Sequence, residues 1–196
     1  MWVDLYDQHE KARALGTTDP LRELQKRVKV LVHQRRVEQR FLGKLNYKKR
    51  EKGTGHRGAK EIAVAGDGTK IGEPIPISNL TNLYDGLLGI WVLVNAADNS
   101  LRKFTVCITG KTPDGAAWMA SVELDQEPAG SGACGHALFH CHVGPSHSSL
   151  PEVRVPVPAI KPWDALDWLL TQVIPDWEPW PWQNARTERE NRYPYD

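Results

Sequence analysis

The spacing of apolar residues changes character near residue 59: helical before it, two-residue alternation after it. Residues 102–109 alternate Phe104, Val106 and Ile108 with Thr105, Cys107 and Thr109. Residues 117–125 set Trp118, Ala120, Val122 and Leu124 against Met119, Ser121 and Glu123. Residues 136–143 set Ala137, Phe139, Cys141 and Val143 against His136, Leu138, His140 and His142. Successive side chains of a strand point to opposite faces, so each segment predicts a strand with two distinct faces. Residues 87–94 are apolar at nearly every position, the pattern of a central strand covered on both sides. Turn chemistry separates the segments: residues 95–100, the Pro113-Asp114-Gly115 group and the glycine-rich stretch 128–135. Short strands at this spacing read as an antiparallel meander. Residues 62–64 and 153–157 add two short strands, whereas Pro74 and Pro76 restrict residues 74–77 to an edge strand or extended linker.

Upstream, residues 17–23 spell the clearest helix start in the chain. Thr18 or Asp19 can cap, Pro20 suits the first helical position, and Glu23 sits in the positive end of the helix dipole. Leu21, Leu24, Val28, Leu31, Leu42 and Leu45 continue the apolar stripe, predicting a long helix that frays into the basic loop 48–58. Such a stripe predicts packing on the body or pairing with a second copy through residues 20–46. A second helix is expected over residues 164–173, with Leu166, Leu169, Leu170 and Val173 inward and Pro175 as its stop. Trp163 and Trp168 read as core. Recurrent prolines at 175, 179 and 181 keep the tail extended.

Charge sharpens this picture. The 196 residues carry a net charge of only +1. Residues 1–60 nevertheless hold sixteen Lys and Arg against seven Asp and Glu, and the remainder holds nine against seventeen. A basic arm therefore precedes an acidic body. It either meets an acidic partner or docks on its own body. Lys26, Lys29, Arg35, Arg36, Arg40, Lys48, Lys49 and Arg50 are its candidate contacts for nucleic acid or an acidic protein. No helix-turn-helix spacing, zinc-finger pattern or phosphate-cradling glycine motif accompanies them.

Three cysteines without a CxxC pair fit free thiols in a reducing cytoplasm, and Cys107 and Cys141 read as structural. No secretory pattern shows in residues 1–11, and no apolar run approaches the ~20 residues of a spanning helix. A membrane role is not expected.

The candidate chemistry lies on the histidine strand. His136, His140 and His142 should emerge on one face, beside Ser121, Glu123 and Cys107 of the neighbouring strands. Two imidazoles two residues apart, with Glu123 as a third ligand, suit zinc or iron. The His140-x-His142 pair on a strand resembles the metal motif of cupins, which implies a metal-dependent enzyme. The glutamate that this motif places three or four residues after its second histidine is missing here, with His147 near that position. Trp177, Trp180 and Trp182 can instead cap the domain or anchor a partner protein, since indoles dominate interface energetics.

The whole reads as an α+β protein: a mostly antiparallel sheet (a meander) flanked by a long basic N-terminal helix and a C-terminal helix. Residues 1–58 form the basic helical segment, 59–175 the sheet domain with its helix, and 176–196 a Trp/Pro-rich extended tail. Because nucleotide and nucleophile motifs are missing, the first functional expectation is a non-enzymatic accessory subunit of a larger, prokaryotic assembly that needs no cofactor. The alternatives are a small metal-dependent enzyme, cupin-like or a hydrolase, and a nucleic-acid-binding protein.

Overall fold

The computed structural model describes residues 18–49, 59–64, 73–98, 100–124, 139–145 and 154–178. In chain order these form helix α1 (Pro20–His33), a 3₁₀ turn (Gln39–Lys44), β1 (Tyr47–Lys49), β2 (Ala59–Val64), β3 (Ile75–Pro76) and β4 (Tyr84–Asn95). There follow β5 (Leu101–Lys111), β6 (Ala117–Leu124), β7 (Phe139–Gly144), β8 (Arg154–Pro156) and helix α2 (Pro162–Val173). All eight strands join one antiparallel sheet in the order β1-β2-β4-β5-β6-β7-β8, with β3 also paired to β4. The expected α+β meander is the architecture observed. His136, Arg50, His147, Trp180 and Trp182 lie outside the described residues.

Register fixes two faces. One carries Ile90, Val106, Val122 and Cys141 in a row across β4–β7, and Val92, Phe104, Leu124 and Phe139 in the next. These residues, all buried, form one apolar cluster with Leu24, Val28 and Leu31 of α1 and Ala165, Leu166, Leu169 and Leu170 of α2. The apolar stripe of α1 is thus spent inside the chain, the first of the two arrangements its pattern predicted.

Among the described residues, the basic arm meets its own acidic body at one buried cation. Arg27 of α1 is buried, and its Nε and Nη2 donate to Asp167 Oδ2 of α2 at 3.1 and 3.0 Å. Its Nη1 donates to Glu23 Oε2 at 2.7 Å, and Trp177 Nε1 donates to Asp167 Oδ1 at 3.2 Å. Desolvation pushes the Asp167 carboxyl up, against the pull of Arg27 and Trp177. A buried pair of this kind is held by its hydrogen bonds, because Coulomb attraction alone rarely offsets the loss of water.

Three expectations need correction. The N-terminal helix is 14 residues long and stops at His33, well short of Leu45. Arg35 adopts φ 57°, and the Arg35 and Arg36 amides donate back to Val32 and Leu31 carbonyls, both at 2.9 Å. That closure is a Schellman motif with arginine where glycine usually stands. Residues 48 and 49, expected in the basic loop into which the helix frays, belong to strand β1. Trp168 is 40% exposed on α2 rather than core, whereas Trp163 is buried as expected. The Asp19 cap is confirmed, its carboxylate accepting from the Leu21 amide at 3.1 Å.

Candidate metal centre

The sheet's other face is buried as well, yet its chemistry differs. In register, Thr105, Glu123, His140 and Pro156 form one row across β5–β8. Cys107, Ser121, His142 and Arg154 form the next. Two-residue periodicity alone puts His140 and His142 on this face while Phe139 and Cys141 enter the apolar cluster. Thr105, Cys107, Ser121, Glu123, His140 and His142 are all buried, with His140 1% and Glu123 9% exposed.

Within this layer the Nε2 atoms of His140 and His142 each lie 3.9 Å from the Glu123 carboxylate, one facing each oxygen. The two rings meet edge to face with centroids 4.9 Å apart. Ser121 Oγ donates to Glu123 Oε1 at 3.0 Å and so fixes the carboxylate's orientation. One ligand atom from each of Glu123, His140 and His142 falls within 4.8 Å of the others. A gap of 3.9 Å is too long for a hydrogen bond. It is close to the separation of two atoms on one ion: bonds of ~2.0–2.1 Å put tetrahedral ligands about 3.3 Å apart. Closure by about 0.6 Å would seat zinc or iron between them.

Among the described residues, two imidazoles and one carboxylate make up the set that could hold an ion, donor types that suit zinc or iron. The serine supplies the outer hydrogen bond that such ligands require. Of the two described cysteines, Cys141 lies on the apolar side, where burial pushes its thiol up, and Cys107 is buried in mid-strand.

The other sequence candidates are dispersed. Lys26 pairs with Glu23 at 2.6 Å and Arg40 with Glu38 at 3.0 Å. Arg36 lies 3.6 Å from Asp176 and donates to the Asn79 carbonyl. Lys29 and Arg35 are exposed, and Lys48 and Lys49 belong to β1. Among the described residues, Lys26, Arg36 and Arg40 are therefore answered from within the chain. Trp177 is 5% exposed against α2, so among the proposed partner anchors this indole is an internal cap.

Sequence reasoning passed over Arg27 and Asp167, whose pairing spans 140 positions and leaves no local signal. It also passed over a broad cleft between the α1–β1 connection and the loop after β3, lined by Arg35, Arg36, Asn79, Tyr84 and Asp85. Arg35, Asn79 and Asp85 have positive φ there. No model of a known protein family, no curated protein and no solved structure matches this chain.

Proposed function

We propose that this protein is a metal-dependent enzyme that holds one divalent ion, zinc or iron, on Glu123, His140 and His142. The carrying observation is convergence: three ligand atoms from two adjacent strands within 4.8 Å, all from buried side chains. Buried imidazole and carboxylate groups are costly to desolvate, and an ion that draws on all three offsets that cost. An ion with open positions activates a bound water or polarises a substrate oxygen. His140 and His142 are the neutral nitrogen ligands, Glu123 the anionic one, and Ser121 the positioning residue.

Elemental analysis of protein purified without chelator should find about one zinc, iron or manganese per chain. His140→Ala combined with His142→Ala should abolish it. Metal-free protein that takes up none of these ions on titration would overturn the reading.

An accessory-subunit role is the second reading, favoured by the exposure of Trp168 together with Val143 and Val155. Partner capture that survives Trp168→Ala would count against it.

A further inference from the structure

Independently of the metal reading, the fold sorts the cations of the basic arm into those it holds and those it leaves to solvent. Arg22, Lys26, Lys29 and His33 fall within about 60° of arc on α1, at 3.6 residues per turn. Leu24, Val28 and Leu31 occupy the opposite side and are buried in the core. The cationic stripe runs roughly 16 Å along the axis, at 1.5 Å per residue. Arg22, Lys29 and His33 are exposed, and so is Arg35 just past the helix end. Glu23 is the single acid of the helix, and Lys26 and Arg27 already engage it at 2.6 and 2.7 Å. Elsewhere, Arg36, Arg40, Lys44 and Lys111 sit against Asp176, Glu38, Glu73 and Asp85. Among the described residues, no hydrogen bond or ion pair engages the side chains of Arg22, Lys29 and Arg35.

The composition of this face selects its partner. A helix that lies in a membrane surface sinks an apolar side among the lipids. The apolar side of α1 is spent in the core. Centres of protein interfaces are poor in lysine and rest on aromatic anchors. Single-strand binders likewise add aromatic platforms for the bases. The stripe carries no Phe, Tyr or Trp. Backbone phosphates ask only for Lys or Arg within reach, and contact releases their counterions. The chain as a whole carries +1, so any pull on a polyanion comes from a local field.

We propose that the solvent face of α1 binds the phosphate backbone of double-stranded nucleic acid, without regard to sequence, through Arg22, Lys29 and Arg35. Seated on the core by its other side, the helix presents a ridge rather than a whole cylinder. It therefore meets phosphates and not base edges, which is where sequence is read.

Fluorescence anisotropy of a labelled 20-bp DNA duplex, titrated with the full chain at several salt concentrations, tests this. Binding should appear at 50 mM salt, with log K falling against log salt at a slope of about −3, for three phosphates at about −0.9 each. A duplex of different sequence should bind within about twofold. Arg22→Gln combined with Lys29→Gln should reduce the slope to about −1 and weaken binding about tenfold at 50 mM salt. Arg40→Gln combined with Lys111→Gln removes the same charge from cations that already have carboxylate partners, and should change neither. All four side chains are exposed, so both variants should fold. Absence of binding at 50 mM salt, or equal losses in the two double variants, would overturn the proposal. So would tighter binding of polyglutamate, of phosphatidylserine vesicles or of single-stranded DNA than of the duplex.

Discussion

The two faces of the sheet are both shielded from water, and they use that shelter in opposite ways. Beneath the helices, Phe104, Val106, Val122, Leu124 and Phe139 interlock with leucines of α1 and α2. Across the same strands, one residue out of phase, Thr105, Ser121, Glu123, His140 and His142 are equally hidden. The first face gains free energy from burial at about 25 cal/mol per Å² of apolar surface. The second loses some, because polar groups give up water there. Burial therefore marks the core on one side and a candidate metal site on the other. Only the residue types tell them apart.

The contrast can be broken most forcefully from the apolar side. Phe104→Ala should cost about 4 kcal/mol of stability in urea unfolding, the usual cavity penalty, while leaving metal affinity in the folded chain intact. A comparable loss of metal binding in folded protein would mean that the faces are not independent. Next in size, Asp167→Ala leaves the buried Arg27 with Glu23 as its hydrogen-bonded carboxylate and should cost about 3 kcal/mol. Adding Arg27→Met should restore most of that, since the pair contributes less than its charges suggest. No recovery in the double variant would show that the pair itself, rather than the stranded cation, carries the loss.

The smallest stability effect should come from the polar side. Ser121→Ala removes the hydrogen bond that orients Glu123 and should cost about 1 kcal/mol. Its effect on the ion should be larger, a drop of roughly 10–100-fold in affinity measured by competition with a chelator. If stability suffers and affinity does not, Ser121 serves the fold and not the centre.

Much of this was legible in the chain because strands carry their phase openly. Alternation at 117–124 and 139–143 assigns Ser121, Glu123, His140 and His142 to one side before any pairing is known. The observed register then sets Glu123 across from His140 and Ser121 across from His142. What sequence cannot display is anything settled by distant partners or by unusual backbone. Arg27 looks like any cation of a basic helix until Asp167, far along the chain, meets it. The end of α1 was missed for a different reason: arginine at a left-handed position gives no compositional cue, whereas glycine would have done. Trp168 was misplaced because its aromatic character argues for burial, while its helical phase puts it with the exposed Thr171 and Gln172.

The outermost strands of the sheet carry one further lesson, since open β-ladders invite sideways growth into aggregates. At one border, β1 is three residues long and holds Lys48 and Lys49. At the other, β8 is equally short and ends in Pro156, which has no amide proton to offer an incoming strand. Brevity, lysine and proline act as gatekeepers against fibril-like stacking. Among the described residues, the same lysines that suggest a nucleic-acid contact in the bare sequence thus belong to the strand at which the ladder stops, a position where lysine disfavours a further strand.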